Sequence, residues 1–194
     1  MAIVVVGGQS RNVGKTSVVE GLIRGLPEMR WMAIKVEPSG ETGGPGVAVS
    51  EEKDGARRTD SSRYLAAGAV RSLWVRTRTD DLTDAMPLIL KELEAAENVV
   101  IESNSILRFL QPDIYLSVLD PAGADFKESA KQYLRRADAV LVPEGVMGKP
   151  EWKSVSLKLA EGTQVLAMRP PEYVTGEILE FVRARIEYSF RTRV

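Results

Sequence analysis

The most informative stretch of this sequence has ten residues: Gly8-Gln9-Ser10-Arg11-Asn12-Val13-Gly14-Lys15-Thr16-Ser17. It follows an apolar run, Ile3 to Val6, and it precedes a stretch from 15 to 25 whose apolar residues recur at helical spacing. A loop between a strand and a helix points its backbone N–H groups and the positive end of the helix into one concavity, which attracts anions. The sequence therefore predicts a phosphate-binding loop.

The residue types at the end of this loop match the chemistry of a bound triphosphate. Lys15 supplies a positive charge for the β- and γ-phosphates, and the Thr16 hydroxyl is a hard oxygen ligand for Mg²⁺. Gly14 lets the backbone approach the phosphates closely. We therefore expect all ten residues from Gly8 to Ser17 to form the binding site for GTP or ATP with Mg²⁺.

The loop departs from the usual pattern at one position. The usual spacing is Gly-x4-Gly-Lys-[Ser/Thr], and here Gln9 occupies the place of the first glycine, with Gly8 one residue earlier. This departure leaves open a second interpretation, a scaffold that binds nucleotide without hydrolysing it.

Three charged residues elsewhere in the chain are candidates for the same site. Glu102 ends an apolar strand, and a carboxylate there lies at the edge of the sheet where ligands bind in such folds. Asp60 begins a helix, where it could serve as a metal ligand, an N-cap or both. Lys35 lies near the end of the second strand and either reaches a phosphate or substrate or extends to the sheet edge. The predicted catalytic residues are Lys15, Lys35, Asp60 and Glu102, and the predicted Mg²⁺ ligands are Thr16, Asp60 and Glu102.

Strands and helices alternate along the whole chain. Short apolar runs predict strands at 3–6, 31–36, 71–75, 99–101, 114–119, 139–142 and 165–168. Helical spacing and capping residues predict helices at 15–25, 60–69, 83–97, 124–136 and 151–159, and a last helix that Thr175 caps. The sequence predicts an α/β fold, a doubly wound and mainly parallel sheet with helices on both faces, in one domain of residues 1–194.

The segment from about 37 to 58 interrupts this alternation. It contains five glycines and two prolines and has few large apolar residues. Because such a composition disfavours helices and strands, we expect a long mobile loop, either a substrate lid or switch or a surface insertion.

Composition excludes several classes of function. Cysteine and histidine are both absent, which excludes disulfides, thiolate nucleophiles, Ser-His-Asp catalysis and metal sites built from these residues. The 26 basic and 27 acidic residues give a net charge of −1, so we expect neither nucleic acid nor an anionic membrane as a partner. No apolar stretch is long enough to span a bilayer and the N-terminus lacks a signal-peptide pattern, so the expected location is cytoplasmic.

Over about residues 1–105, the sequence resembles MobB, the adaptor protein of molybdopterin-guanine dinucleotide biosynthesis. The residues that carry the resemblance are Gly14-Lys15-Thr16, Ile34-Lys35, Thr59-Asp60-Ser61 with Arg63, Ala67-Gly68-Ala69 and Val100-Ile101-Glu102. The resemblance implies a P-loop NTPase in which Lys15 and Thr16 bind phosphate and Mg²⁺, and Asp60 and Glu102 complete the metal environment. It also implies a homodimer and a protein partner in the assembly of the molybdenum cofactor or a related cofactor.

Other functions within the same group stay open. Lys35-Val36-Glu37-Pro38-Ser39-Gly40 resembles the substrate segment of dethiobiotin synthetase, an ATP-dependent ligase, in which Lys35 would handle a carboxylated intermediate. A nucleotide-dependent interaction switch is a further alternative. The absence of histidine and cysteine argues against the nickel-insertion GTPases, and no Asn-Lys-x-Asp element selects guanine, so the choice between ATP and GTP is open.

Overall fold

A computed structural model describes residues 1–38, 47–56, 59–77, 82–145 and 163–192. Within these ranges the strands are β1 (Ile3–Gly8), β2 (Trp31–Pro38), β3 (Ala48–Glu52), β4 (Arg71–Thr77), β5 (Asn98–Glu102), β6 (Ile114–Val118), β7 (Ala139–Pro143) and β8 (Gln164–Met168). The α-helices of the same ranges are α1 (Lys15–Gly25), α2 (Asp60–Ala67), α3 (Met86–Glu94), α4 (Glu128–Tyr133) and α5 (Gly176–Thr192).

The strands form one sheet in the order β3-β4-β2-β5-β1-β6-β7-β8. All neighbouring strands pair in parallel except β3, which is antiparallel to β4. The central strand β1 is buried on both faces, which explains its unbroken run of valines. The predicted α/β fold with a mainly parallel, doubly wound sheet is confirmed.

Helices cover both faces of this sheet and enclose two apolar cores. The buried faces of α1, α2 and α5 meet one side of the sheet, and their core includes Trp31, Leu22 and Ile178. The other core lies beneath α3 and α4 and includes Ile89 and Tyr133. Residues of β1, β2 and β5 pack into both cores, one on each face of the sheet. This packing fixes the position of the sheet edge at which the three strands end.

One predicted irregular segment contains a strand. The expected loop from 37 to 58 was predicted to contain neither helix nor strand, yet β2 continues to Pro38 and β3 occupies residues 48–52. The strand forms because Val49 pairs with Val75 of β4 and the guanidinium of Arg71 contacts the Glu51 carboxylate at 2.9 Å. Three of the five residues of β3 are exposed and two are half-buried, so the strand has no apolar run that a sequence pattern could detect. The remainder of the predicted loop, 39–46 and 57–58, lies outside the described residues.

Three helices are shorter than predicted, and one lies outside the described residues. The second helix ends at Ala67 instead of 69, because Gly68 adopts the left-handed conformation and caps it. The third helix begins at Met86 and ends at Glu94 instead of spanning 83–97, and its N-cap is Ala85 instead of Thr83. Pro87 explains this start, because proline has no N–H to donate and is accommodated in the first turn. The fourth helix begins at Glu128 instead of 124, because the segment before it turns back onto the phosphate loop. The predicted helix at 151–159 lies outside the described residues.

None of the described helices combines the length and the apolar character that crossing a bilayer requires.

Candidate functional site

The predicted site residues meet at the carboxyl ends of three adjacent strands. The phosphate loop connects β1 to α1, and β5 and then β2 lie beside β1 in the sheet. In the parallel register Lys35 of β2 is paired with Glu102 of β5, and Glu102 with Val6 of β1. The sheet thus aligns the ends of these strands, so that residues far apart in the sequence face one cavity.

That cavity has a volume of about 380 Å³ and is lined by Lys35, Asp60, Glu102 and part of the phosphate loop. Seven of the ten loop residues predicted to bind phosphate line it: Gly8, Arg11, Asn12, Gly14, Lys15, Thr16 and Ser17. The other three, Gln9, Ser10 and Val13, are outside the lining, and Val13 packs into the apolar core instead.

The backbone of the loop adopts the conformation that close approach to a ligand requires. Gly14 lies directly before α1 with a φ of 101°, in the left-handed region that favours glycine. A Cβ atom added at Gly14 would lie 2.3 Å from the ring of Tyr173, a residue of the segment between β8 and α5. Glycine at this position therefore satisfies both a backbone and a packing requirement.

Glu102 is the centre of the polar network in the site. Its side chain is 3% exposed, and it accepts hydrogen bonds from the Thr16 hydroxyl at 2.8 Å, from the Tyr64 hydroxyl and from the Lys35 ammonium. Burial raises the pKa of Tyr64 well above its ordinary value, and the Glu102 charge raises it further, so this hydroxyl remains a donor. Each oxygen of the buried carboxylate thereby has at least one hydrogen-bond donor, as a buried charge requires.

Lys35 connects the two predicted carboxylates. Its ammonium contacts Glu102 and lies 3.0 Å from Asp60 Oδ2. Burial alone would lower the pKa of Lys35, but the charges of Glu102 and Asp60 outweigh it and raise the pKa above its ordinary value. Lys35 is therefore a cation that neutralises both carboxylates, instead of a side chain that extends freely from the sheet edge.

Lys15 lies in the opposite electrostatic environment. Its ammonium donates a hydrogen bond of 2.6 Å to the carbonyl of Ser10, within the phosphate loop. Its pKa is lowered to about 8, chiefly by burial and further by the positive charges of Lys35 and Lys127, while Glu102 and Asp60 oppose the shift. No carboxylate in the described part of the chain forms an ion pair with this ammonium, so an anion in the cavity would supply a close counter-charge.

The oxygen atoms at the site are suited to a magnesium ion. Thr16 Oγ1 and Glu102 Oε2 are 2.8 Å apart, and hydroxyl and carboxylate oxygens are the ligands that Mg²⁺ prefers. Within the described residues, no group of three or more acidic side chains could hold a metal by itself. A metal would therefore be held by Thr16, Glu102 and Asp60 together with oxygen atoms of a bound phosphate chain, as Mg²⁺ commonly is.

Sequence patterns did not predict three residues of the site, Asn104, Tyr64 and Tyr173. Asn104 holds the start of the phosphate loop, because its side chain accepts a hydrogen bond from the Gly8 N–H and donates one to the Gly8 carbonyl, each at 2.9 Å. Tyr64 lies one helical turn after Asp60 on α2, which is the only sequence signal for its place beside Glu102. No sequence pattern indicated that Tyr173 lies beside the phosphate loop, because the two are far apart in the sequence.

Gln9, the departure from the usual pattern, is fully buried and makes its own hydrogen bonds. Its side-chain Nε2 donates to the carbonyls of Asp120 and Gly123 at 2.9 and 3.2 Å, and its Oε1 accepts from the Asp120 N–H at 2.8 Å. The amide thus binds the turn that follows β6. Gln9 holds the phosphate loop to the rest of the fold and does not line the cavity.

Comparison with known proteins identifies the fold. No protein-family model matches the chain, and no curated protein matches it. Among solved structures, the hydrogenase maturation factor HypB from Archaeoglobus fulgidus superimposes with a TM-score of 0.55 at 13% identity, over 94% of this chain and 89% of that one. LpxK from Aquifex aeolicus, solved in complex with ATP, superimposes with a TM-score of 0.52 at 19% identity, over 85% of this chain and 53% of that one. This chain has the P-loop NTPase fold.

The MobB resemblance gains no support from these comparisons. A MobB protein homolog from Bacillus stearothermophilus superimposes with a TM-score of only 0.42 at 14% identity, although all of this chain is covered. The chain also spans only about half the length of LpxK. The likenesses therefore establish the P-loop NTPase fold and carry no substrate or partner to this chain.

Proposed function

We propose that this protein binds a nucleoside triphosphate with Mg²⁺ in the cavity beside the phosphate loop and hydrolyses or transfers its terminal phosphoryl group. The observation that carries the proposal is the convergence of Lys15, Thr16, Lys35, Asp60 and Glu102 on one cavity at the end of β1. In a P-loop NTPase, catalysis rests on positioning and on electrostatic stabilisation of the transferring group, and these residue types suit both tasks.

The contacts of each residue support a specific role in nucleotide binding or catalysis. Lys15 and the backbone of the loop bind the phosphates, while Thr16, Glu102 and Asp60 hold the metal. A bound Mg²⁺ would neutralise charge on the phosphate oxygens. Lys35 contacts both carboxylates and so holds them in place. Tyr64 donates a hydrogen bond to Glu102 and so fixes the direction of that carboxylate.

Only the sequence resemblance supports a more specific role, a homodimer and a protein partner. A MobB-like role in cofactor assembly, with a homodimer and a protein partner, is proposed on residues 1–105. In the ligase alternative, Lys35 would hold a carboxylated substrate. The ammonium of Lys35 instead forms ion pairs with Glu102 and Asp60. We therefore favour the NTPase over the ligase.

Calorimetric titration of the protein with ATP and with GTP, each with and without Mg²⁺, tests this proposal. We expect saturable, Mg²⁺-dependent binding of at least one nucleotide, and a loss of about 10- to 100-fold in affinity for Lys15→Ala, since a charged hydrogen bond contributes on that scale. Lys131→Ala is the matched control, because Lys131 pairs with Glu128 outside the cavity. No binding of either nucleotide, or equal binding by Lys15→Ala, would reject the proposal.

A further inference from the structure

A second lysine faces the phosphate loop from the opposite side of β1. Lys127 lies directly before α4, and it lines the same cavity as Gly8 and Lys15. Among the described residues, its ammonium has no ion-pair partner, whereas the Lys35 ammonium is bound by two carboxylates. Lys127 therefore brings to the cavity a positive charge that no carboxylate of the described residues pairs with.

The backbone of Lys127 is fixed to the phosphate loop itself. Its N–H donates a hydrogen bond of 2.7 Å to the carbonyl of Gln9, while the Gln9 N–H donates to the Val118 carbonyl at 3.1 Å. Together with the three side-chain hydrogen bonds of Gln9 to Asp120 and Gly123, these bonds tie one loop residue to both ends of the segment 118–127. A glycine at position 9 could not make the side-chain bonds.

Lys127 and Lys15 approach the cavity from two different elements. Lys127 lies directly before α4 and Lys15 begins α1, and both residues line the same cavity. Two ammonium groups on different walls of one cavity repel each other, and an anion between them relieves that repulsion. Such an arrangement favours a ligand with several negative charges, which is the character of a polyphosphate chain.

We propose that Lys127 is a second phosphate-binding lysine, positioned by Gln9, which contacts the phosphate chain from the β6 side of the loop. The inference rests on the proposed function and adds a residue to it. It also gives a physical reason for the departure at position 9: the glutamine that replaces glycine holds the segment that carries the second cation.

Titration calorimetry with two ligands tests the contact. The variants are Lys127→Met, which keeps most of the aliphatic stem, Lys127→Arg, which keeps the charge, and Lys131→Met as the control on α4. The ligands are the nucleotide that the wild type binds and inorganic tripolyphosphate, which has no base or ribose. We expect Lys127→Met to weaken both ligands about tenfold, and Lys127→Arg and Lys131→Met to bind much as the wild type does.

A separate measurement tests whether Gln9 positions Lys127. In a double-mutant cycle, Gln9→Gly removes the side-chain hydrogen bonds, so Lys127→Met should cost clearly less affinity in that background than in the wild type. Equal costs in the two backgrounds would show that Gln9 does not position Lys127. Thermal melting of each variant separates lost affinity from lost folding.

The outcomes distinguish this inference from the function on which it rests. Wild-type affinity of Lys127→Met for both ligands, with binding lost in Lys15→Ala, overturns the role of Lys127 and leaves the proposed function intact. Weaker nucleotide binding with unchanged tripolyphosphate binding also overturns it, since the lysine would then contact the base or ribose. If the wild type binds neither ligand, the proposed function and this inference both fail.

Discussion

At the scale of single residues, Gly7 shows how closely the phosphate loop is packed. A Cβ atom at Gly7 would lie 2.2 Å from the Asn104 Oδ1 atom, which accepts the hydrogen bond of the Gly8 N–H. We expect Gly7→Ala to displace Asn104, to lower the free energy of unfolding by about 1–3 kcal/mol and to weaken nucleotide binding. Chemical denaturation and calorimetry measure the two effects.

The control for this substitution is Gly176→Ala. Gly176 begins α5, and an added Cβ would meet nothing within 4 Å. We expect this variant to be as stable as the wild type or slightly more stable, since alanine favours a helix. If Gly7→Ala unfolds at the same denaturant concentration as Gly176→Ala, the packing around Gly7 is looser than described.

Glu102 and Asp60 give a second prediction at this scale. Glu102→Gln and Asp60→Asn remove a charge at nearly constant shape, so each should lower Mg²⁺-dependent turnover by about 10- to 100-fold and lower nucleotide affinity much less. Phosphate release over a range of Mg²⁺ concentrations, with binding measured on the same samples, separates these effects. Wild-type turnover in both variants would remove these carboxylates from the metal environment.

At the scale of elements, the segment after β2 contains a strand, β3, where the sequence predicted a loop. Its residues 48–52 pair with β4, whereas residues 53–56 follow the strand and belong to no helix or strand. Hydrogen exchange in the protein without nucleotide should therefore be slower in 48–52 than in 53–56, because backbone pairing protects amides. Equally fast exchange in the two segments would indicate that β3 does not persist in solution.

At the scale of the whole molecule, a ligand that binds only the folded chain must raise its thermal stability. Nucleotide with Mg²⁺ at 100 times its dissociation constant should stabilise the fold by about 2.7 kcal/mol, which for a domain of this size corresponds to roughly 5–10 °C in Tm. Scanning calorimetry measures the shift, and it should increase with nucleotide concentration. The shift should be much smaller for Lys15→Ala at the same concentration, and an equal shift would indicate binding away from the phosphate loop.

Local patterns were sufficient for much of this fold. The alternation of apolar runs with helical spacing predicted the parallel sheet, because a strand buried on both faces has to be apolar throughout, as Val4 to Val6 are. The loop from Gly8 to Ser17 and its position before α1 could be predicted for the same reason, since strand, loop and helix are contiguous in the sequence. The order of the strands in the sheet has no such local signal.

The elements and the residue types available for chemistry follow from the amino-acid sequence alone: Lys15, Thr16 and carboxylates, with no histidine or cysteine. Which of these residues lie together depends on how the elements pack in three dimensions. Only the register of β2 against β5 places Lys35 beside Glu102, and only the packing of α2 brings Tyr64 to the same carboxylate. Gln9 and Asp120 lie 111 positions apart in the sequence, so no local pattern indicates the hydrogen bonds between them. Contacts of this kind depend on how separate elements pack in three dimensions, and sequence spacing does not encode that packing.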